Sequence, residues 1–528
     1  MLNLTGNQES FSKQLPKNLI SNFIYFLMNV AVGIFLVPYF IDNLGVAAYG
    51  IIPLATSMTG YVNLVMQSLN TSVSRYLTID LQKQDFQKAN KTFNTALFGI
   101  LGIILLTIPL ILLLSYYSPI FFDIPENQKK EASLLFLGVF GAFLIRAWGS
   151  SFGVSLFAYN RLDIQNAVNG LNLIVQTLLI ILFFILFSPK LSYIGLAYFL
   201  GASIAFILTV FVSKKINPNL KVNINDFNRS QLKNLMGTGS WIIINQIGAL
   251  LFTQIDLIVV NKLFGIAAGG EYSIVLVWST VLRSIAGMLA GVLTPIILTY
   301  YAKQKFDDIT TISQRAVKFM GLAMALPIGC ICGFAPQILS LWVGSEFIKL
   351  APLMWLLLMH LVINLSVLSL FSINVSYDKV RIPGLVTLMT GLGNLLLAII
   401  IPSITGLGYY GVGVAGAIML TAKNSVFTPW YAARVLGIPK KTFVVSMVPG
   451  TIAALMVAGI ASLVNYYMNT STLISLAIYC SLISLIYLYS IWMIGLDEFE
   501  KKFIKLQIPN NLISKLKHKT DLQGLQDE

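Results

Sequence analysis

The sequence predicts an all-α polytopic membrane protein with about fourteen transmembrane helices. Of its 528 residues, 56% are apolar and only 11% are charged, and the mean hydropathy is +0.79. Apolar runs of 18 or more residues recur along the chain. Each run is long enough to cross a hydrocarbon core of about 30 Å as a helix. This composition excludes a water-soluble protein.

An internal repeat of about 218 residues organises the chain. The two copies share four short motifs: KNLI at 17–20 with KNLM at 233–236, LGVAA at 44–48 with FGIAA at 264–268, KQDF at 83–86 with KQKF at 303–306, and AYNRLDI at 158–164 with SYDKVRI at 376–382. The offset between partners stays between 216 and 220 residues. Such a constant offset indicates duplication rather than chance composition.

Each copy contains six predicted helices, and two more helices follow. The predicted parts are a cytoplasmic N-terminal segment (1–18), an N-lobe of helices 1 to 6 (19–213), a cytoplasmic linker (214–235), a C-lobe of helices 7 to 12 (236–434), helices 13 and 14 (435–495) and a cytoplasmic tail (496–528). Because six is an even number, both lobes have the same orientation in the membrane. The repeat is therefore parallel.

Basic residues are distributed unevenly between the two sides of the membrane. The net charge of +14 would suggest a nucleic-acid partner in a soluble protein. Here, 27 of the 32 Lys and Arg residues in termini and loops lie in the termini or in loops after even-numbered helices. Because Lys and Arg are retained on the cytoplasmic side, we predict a multi-pass protein of the cytoplasmic (inner) membrane with both termini inside. No nucleic-acid partner is needed to explain the charge.

Three cations remain inside predicted helices. Arg146, Arg283 and Lys423 lie near the middle of helices 4, 8 and 12. A charged side chain at the bilayer centre costs about 2.5 to 3.5 kcal/mol on insertion scales. We therefore expect these side chains to face an aqueous cavity, an anionic partner or both.

Polar residues at helical spacing indicate the walls of a central cavity, since residues three and four apart share one helix face. The stripes are Gln165, Asn169, Asn172 and Gln176 on helix 5, Asn245, Ala249, Thr253 and Asp256 on helix 7, and Thr280, Arg283, Gly287 and Gly291 on helix 8. The small residues of helix 8 suit either close packing or a water-filled surface.

Two titratable residues are candidates for ion coupling. Asp256 is the only acid well inside a predicted helix, and it either forms a structural salt bridge with Arg283 or binds an ion or proton. His360 precedes Asn364 by one helical turn. This spacing is typical of a hydrogen-bonded interior histidine, and a proton carrier is the alternative.

No catalytic constellation is present in the sequence. It has no Gly-rich phosphate loop, no cluster of metal ligands and no nucleophile with a nearby base. We therefore expect neither an enzyme nor a cofactor, and no metal site. Two repeated lobes with a cationic interior suit transport of an anionic compound by rocking of the lobes.

Several motifs resemble one family of transporters. LGVAAYGI at 44–51, RYL at 75–77, YNR at 159–161 and the opening of helix 7 carry the resemblance. They are similar to the polysaccharide exporters, or lipid-linked oligosaccharide flippases, of the superfamily that also contains multidrug-and-toxin extruders and lipid II flippases. The resemblance implies a fourteen-helix fold around a central cavity. It also implies outward movement of a polyprenyl-diphosphate-linked or similar glycolipid for cell-surface polysaccharide biosynthesis.

The resemblance suggests roles for particular residues. Arg283 matches a cavity arginine on helix 8 of lipid II flippases, whose basic residues in helices 1 and 2 have no counterpart here. The expected substrate contacts are Arg283, Arg146, Lys423, Asn169, Asn172, Gln176 and Asn245. The three cations would hold the diphosphate. Arg75 would contact the headgroup at a cytoplasmic gate or serve as a positive-inside anchor.

The expected partners follow from this resemblance. They are the lipid-linked oligosaccharide, membrane lipids, a proton, sodium ion or membrane potential as the driving force, and a polysaccharide polymerase or glycosyltransferase. Three tryptophans, Trp148, Trp241 and Trp278, either stack on sugar rings or pack in the core. The lipid tail would stay outside, between the lobes.

Two other functions stay open. A cation-coupled multidrug exporter of the same fold needs buried carboxylates, whereas this chain has three buried cations and one clear buried acid. A membrane scaffold for polysaccharide assembly has no use for buried charges, which are costly. The tail carries Phe499, Phe503 and Leu506 among lysines. Whichever function holds, we predict that it lies as an amphipathic helix on the inner membrane surface.

Overall fold

In a computed structural model of the protein, the described part of the chain comprises residues 11–232, 240–468, 470–498 and 500–501. This part consists of helices joined by short turns and contains no strand. The start of the second repeat copy, at 233–239, and most of the predicted amphipathic tail, at 502–528, lie outside the described residues.

Six long helices form the first lobe. They are α1 (Phe11–Leu44), α2 (Val46–Gln82), α3 (Phe86–Phe121), α4 (Glu126–Ala158), α5 (Leu162–Leu186) and α6 (Leu191–Ile216). The apolar content of each helix explains why it forms in lipid, where a helix satisfies all of its own backbone hydrogen bonds. Helix α1 begins inside the predicted N-terminal segment, because buried Gln14 and Asn18 bind Asp163 and Asn160 near the start of α5.

The second lobe is more irregular than the first. Its helices are α7 (Ser240–Thr253), α8 (Ile255–Ala302), α9 (Phe306–Gly333), α10 (Ala335–Trp342), α11 (Ala351–Leu358), α12 (Leu361–Ser366), α13 (Phe371–Ser376), α14 (Arg381–Thr405), α15 (Tyr410–Ala422) and α16 (Thr428–Leu436). A π-helical segment, Lys423–Phe427, joins α15 to α16. The last two helices are α17 (Thr442–Tyr467) and α18 (Leu473–Ser490).

Eleven helical segments in the described residues are long and apolar enough to cross a membrane. One of them, Ile255–Ala302, contains a break at Gly265 and so holds two helices. Two shorter apolar helices, Val46–Gly60 and Ile244–Thr253, add to these. The all-helical membrane fold is confirmed, and the number of fourteen helices stays a prediction.

The internal repeat is visible in the backbone. Three pairs of turn residues share a left-handed φ: Gly45 and Gly265 (81° and 83°), Gln84 and Gln304 (58° and 56°), and Asn160 and Asp378 (56° and 53°). Each pair belongs to one of the motifs repeated in the sequence. Because left-handed conformations are uncommon outside glycine, three such matches are evidence that the two copies fold alike.

Two ends of the bundle can be distinguished. The hairpin end is the end at which Gly45 and Gly265 lie, and the linker end is the end at which α2 finishes and the segment after α6 begins. At the linker end, Asn90 of α3 binds the backbone of Asn219 and Lys221, while Asn94 binds the backbone of Lys221 and Asn223. The linker is thus held along α3 of the first lobe.

The last two helices pack against the second lobe. Gly450 of α17 lies so close to Gly321 of α9 that a Cβ on Gly450 would sit 2.6 Å from the Gly321 Cα. From α18, the Tyr487 hydroxyl donates to the Leu322 carbonyl oxygen at 2.7 Å. Beyond α18, buried Glu500 forms an ion pair with Lys318 of α9 at 2.7 Å. Three successive contacts therefore tie the C-terminal part to α9.

Candidate functional site

The predicted central cavity lies where the two lobes meet. It has a volume of about 750 Å³ and is lined by α1 and α2 of the first lobe and by the α7–α8 region of the second. Asn22, Tyr25 and Asn29 supply polar groups from α1, and Gln254 and Thr280 supply them from the second lobe. The rest of the lining is largely apolar, so these polar groups are the positions at which hydrophilic parts of a ligand would bind.

A side pocket of about 260 Å³ adjoins the central cavity within the second lobe. Both are lined by Gln254, Thr280 and Ser284, so the two spaces share a wall. The side pocket is also lined by Asp256, Arg283 and His360. Three residues that the sequence placed on separate helices are thus brought to one site.

Asp256 is held by neutral partners. Its Oδ1 accepts a hydrogen bond from Asn394 Nδ2 at 3.0 Å, and its Oδ2 accepts one from the Tyr272 hydroxyl at 3.5 Å. Only 7% of the residue is exposed. The helix is interrupted at Gln254, two residues before Asp256. Asn394 also donates a hydrogen bond to the carbonyl oxygen of Leu251, just before this interruption, at 2.8 Å. The carboxylate therefore sits beside a helix break, a common position for ion sites in transporters.

A direct ion pair between Asp256 and Arg283, one of the two alternatives from the sequence, is not formed between these described residues. Arg283 Nε donates to Ser279 Oγ at 3.2 Å. Asn394 and Tyr272 hold the carboxylate instead, one at each oxygen. Arg283 lines the side pocket together with Asp256 and remains an electrostatic neighbour of the acid.

His360 lies at the turn between α11 and α12. Asn364 Nδ2 contacts His360 Nδ1 at 2.7 Å, as the one-turn spacing predicted. When Nδ1 accepts this bond, the neutral ring carries its proton on Nε2. The Asn364 side chain continues to Asn424, whose Oδ1 accepts from Lys423 Nζ at 3.3 Å. A chain of side-chain hydrogen bonds therefore links His360 to Lys423.

Lys423 does not share the side pocket with Arg283. It lines a separate cavity of about 380 Å³, which is also lined by Asn245, Asn374 and Tyr431. The stripe predicted on helix 7 is therefore split, because the break at Gln254 leaves Asn245 at one cavity and Asp256 at another. The sequence periodicity assumed an unbroken helix.

The first-lobe candidates lie away from these spaces. Of the three cavities described here, none is lined by Arg146, Asn169, Asn172 or Gln176. Gln176 Nε2 donates to Asn172 Oδ1 at 3.0 Å, and the pair packs against Gly201 of α6. Arg146 has the hydroxyl groups of Tyr198 and Tyr25 as electrostatic neighbours. Tyr25 also lines the central cavity, so an electrostatic neighbour of Arg146 belongs to the cavity wall.

The remaining candidates are at the linker end or in the core. Arg75 is exposed near the linker end of α2. Trp148 stacks on Phe206 with ring centroids 5.0 Å apart, and Trp278 meets Trp342 edge-on at 5.3 Å. These contacts favour packing for both tryptophans. The Trp241 side chain lies outside the described residues.

Sequence reasoning missed Asn394 and Tyr272, the partners of Asp256. Asn394 is a lone asparagine in the apolar run of predicted helix 11. Because polar side chains inside membranes form hydrogen bonds with neighbouring helices, it could have been predicted to bind a polar partner. Tyr272 carried no signal, since it begins a predicted helix. Within the described residues, no group of three or more His, Cys, Asp or Glu side chains is placed to hold a metal ion.

Comparison with known proteins now identifies the family. The family model described as "Polysaccharide biosynthesis protein" matches residues 15–300, more than half of the chain. The chain belongs to this polysaccharide biosynthesis family. A curated relative, the uncharacterized membrane protein EpsK of Bacillus subtilis (strain 168), is 32% identical over 431 residues, covering 81% of this chain and 84% of EpsK.

Solved structures show which fold this member of the polysaccharide biosynthesis family has. The lipid II flippase MurJ in an inward closed conformation aligns with a TM-score of 0.65 at 16% identity, covering 90% of this chain and 98% of MurJ. An inward-facing multidrug resistance MATE family transporter of the MOP superfamily aligns with a TM-score of 0.60 at 16% identity, covering 84% of this chain and 96% of that one. Together, family and fold support a membrane protein of the flippase or exporter type.

Proposed function

We propose that the protein is a flippase for a lipid-linked oligosaccharide, carried on polyprenyl diphosphate or a similar anionic lipid. The observation that supports this most directly is that the Arg283 side pocket shares a wall with the large cavity between the lobes. A sugar headgroup occupies the cavity, the diphosphate meets Arg283, and the lipid tail stays between the lobes in the bilayer. Rocking of the lobes then exposes the cavity to each side in turn.

Arg283 is the diphosphate ligand in this proposal. Its Nε donates to Ser279 Oγ, and the side chain lines the pocket. A guanidinium group binds phosphate oxygens through two parallel charge-assisted hydrogen bonds, which are strong where water is scarce. Arg146, an electrostatic neighbour of the wall residue Tyr25, adds positive charge near the cavity.

Asp256 is the coupling residue in this proposal. A proton or a sodium ion binds at its carboxylate and drives the return of the lobes. Asn394 Oδ1, on the same side chain that holds the carboxylate, has no hydrogen-bond partner within the described residues and offers a second oxygen. Gly416 leaves space there, since a Cβ on it would lie 3.0 Å from Asp256 Oδ2. Hard cations take oxygen ligands of this kind.

The hairpin end faces outward in this proposal, and the linker end faces the cytoplasm. In the structure the lobes are joined at the hairpin end, where Lys262 Nζ reaches Asp123 Oδ2 at 2.7 Å and Trp342 Nε1 reaches the Ile34 carbonyl oxygen at 2.8 Å. With the hairpin end outward, these contacts close the cavity to the outside. Arg75, exposed toward the linker end, is then placed to meet an arriving headgroup.

Proteoliposomes test the proposal. We expect fluorescent undecaprenyl-diphosphate oligosaccharide to become accessible to an impermeant quencher in a protein-dependent manner, and a cationic dye to remain inside. Dye efflux without glycolipid movement would show the multidrug exporter suggested by the fold. If neither compound moves while the protein remains folded, a scaffold for polymerase or glycosyltransferase partners is the better account.

A further inference from the structure

The linker after α6 carries exposed apolar side chains. Val222, Ile224 and Phe227 are 47%, 67% and 38% exposed, and we name these three residues the linker surface. They lie on an extended stretch of backbone, which includes one short 3-10 turn, Ile224–Asp226. Apolar side chains grouped in this way gain free energy when they leave water. The linker surface therefore indicates an apolar partner.

Contacts with α3 fix this part of the linker. Asn90 and Asn94 form four hydrogen bonds with its extended backbone, and the backbone N–H of Asn228 donates to Thr95 Oγ1 at 3.0 Å. The neighbouring apolar residue Leu220 is only 7% exposed. The linker thus already buries one apolar side chain against the protein, and the linker surface is the part that the described chain leaves uncovered.

The position of the linker along α3 gives its depth in the membrane. The run from 93 to 116 contains no charged residue, and Leu105 and Leu106 at its middle are 59% and 82% exposed, as expected of lipid-facing residues. Asn94 and Asn90 precede Leu105 by eleven and fifteen residues, so they lie about 17 and 23 Å from it along the helix. Half of the hydrocarbon core is about 15 Å thick, and half of the whole bilayer is about 20 to 22 Å thick. The linker therefore lies at the level of the lipid headgroups.

The charge of the linker matches that of anionic lipids. Its exposed cations are Lys214, Lys215, Lys221 and Arg229, whereas Asp226 is the only acid between residues 214 and 231. Basic residues beside apolar ones are the pattern by which proteins bind a negatively charged membrane surface. A protein partner at this depth would have to displace lipid headgroups. The observations thus favour a phospholipid over a protein.

We propose that the linker surface and the cations beside it form a binding site for anionic phospholipids, in the leaflet at the linker end. Val222, Ile224 and Phe227 enter the boundary of the acyl chains, while Lys221 and Arg229 contact the headgroup phosphates. The bound lipids anchor the first lobe at the point from which the chain continues to the second. This inference does not depend on which compound the protein transports.

Quenching by labelled lipids tests the site in vesicles. Bimane is attached to Ile224→Cys in the full chain, which is reconstituted in phosphatidylcholine with a small fraction of nitroxide-labelled phosphatidylglycerol or, separately, nitroxide-labelled phosphatidylcholine. We expect the labelled phosphatidylglycerol to quench bimane at least about threefold more strongly, since nearby cations concentrate anionic lipid. Iodide in the water should quench it weakly. Wild-type protein taken through the same labelling gives the background of the native cysteines in α9 and α18.

Variants separate the two parts of the site. Lys215→Gln/Lys221→Gln should make the two lipids quench equally, with bimane still protected from iodide. Val222→Ser/Phe227→Ser should instead expose bimane to iodide. Lys130→Gln/Lys190→Gln, which removes two exposed cations at the hairpin end, is the matched control and should change neither result. An unchanged melting temperature in each variant distinguishes these effects from misfolding.

Two results would overturn the proposal. If the two lipids quenched bimane equally with all lysines present, the site would have no preference for anionic headgroups. If iodide quenched bimane strongly and neither lipid did, the linker surface would lie in water, where a protein partner is the better account. Neither result bears on glycolipid flipping, so this inference and the proposed function can fail independently.

Discussion

Gly50 of α2 and Gly270 of α8 lie against each other where the two lobes meet. A Cβ on Gly50 would sit 2.5 Å from the Ile266 carbonyl oxygen, and one on Gly270 would overlap the Val46 carbonyl oxygen. The repeat offset of 220 relates Gly50 to Gly270 and Val46 to Ile266. The contact is therefore symmetric. Each glycine packs against the residue that follows the hairpin glycine of the other lobe, Ile266 after Gly265 and Val46 after Gly45. Only glycine permits backbones to approach so closely.

Substitution of Gly270 tests whether this contact closes the hairpin end. Gly270→Ala should separate the lobes there, because overpacking of this kind typically costs about 1 to 3 kcal/mol. Spin labels on Glu126→Cys and Ser345→Cys, exposed positions at the hairpin end of the two lobes, should report a longer distance. Gly102→Ala, which meets nothing within 4 Å, is the control. An unchanged distance would mean that the lobes do not pivot at this contact.

The pair of Lys262 and Asp123 should bias the same equilibrium. Lys262 also donates to the Phe121 carbonyl oxygen at 2.7 Å, but the pair is exposed, so it contributes about 0 to 1 kcal/mol. Lys262→Glu should raise the population of molecules that are open at the hairpin end by up to about fivefold, and it should leave the melting temperature nearly unchanged. The double variant Lys262→Glu/Asp123→Lys should restore closure. Failure of that rescue would show that the charges do not act as a pair.

The variants of Arg283 separate a ligand role from a structural one. Because Arg283 forms no ion pair with Asp256 within the described structure, Arg283→Ala should abolish flipping with little loss of thermal stability. Arg283→Lys keeps the charge without the planar fork and should flip at a reduced rate. Exposed Arg434→Ala is the matched control.

The double variant Arg283→Ala/Asp256→Ala extends this test. We expect it to be folded and inactive. If the double variant flipped at near the wild-type rate, Arg283 would not be the diphosphate ligand. Its role would then be to balance the charge of Asp256.

The buried pair of Lys318 and Glu500 should serve stability and not transport. Glu500 is 3% exposed. Its carboxylate also accepts a hydrogen bond from the backbone N–H of Asp497 at 2.9 Å. Removing one member of a buried pair costs about 3 to 5 kcal/mol, so Glu500→Ala should lower the melting temperature and the amount of folded protein. Lys318→Met/Glu500→Leu should recover most of both. Flipping per folded molecule should stay at the wild-type rate in each variant, and a selective loss would give the pair a direct part in transport.

Labelling from outside the cell tests the topology. Lys221→Cys in the linker and Lys515→Cys in the tail should resist an impermeant maleimide in intact cells and react after permeabilisation, because positive residues are retained inside. Lys349→Cys, exposed at the hairpin end, should react without permeabilisation. The opposite pattern would invert the assignment of the two ends.

The membrane class, the repeat and the buried cations followed from the sequence alone. Apolar length and helical periodicity are local properties, so a run such as the one from Tyr193 to Val212 predicts its own helix, observed as α6. Turn motifs repeat because a left-handed φ is also decided locally, as at Gly45 and Gly265. The cost of burying Arg283 in lipid likewise needs no knowledge of its neighbours.

Only the tertiary structure decided which of these residues meet. The sequence assigned Arg146, Arg283 and Lys423 to one site, whereas the structure places the last two in different cavities, neither of which is lined by Arg146. Periodicity assumes continuous helices, whereas backbone breaks at Gln254 and beside His360 redirect the side chains that follow them. Partners such as Asn394 for Asp256 lie 138 residues apart. Such a contact depends on how α14 packs against the α7–α8 break, and spacing along one helix holds no information about the helix packed beside it.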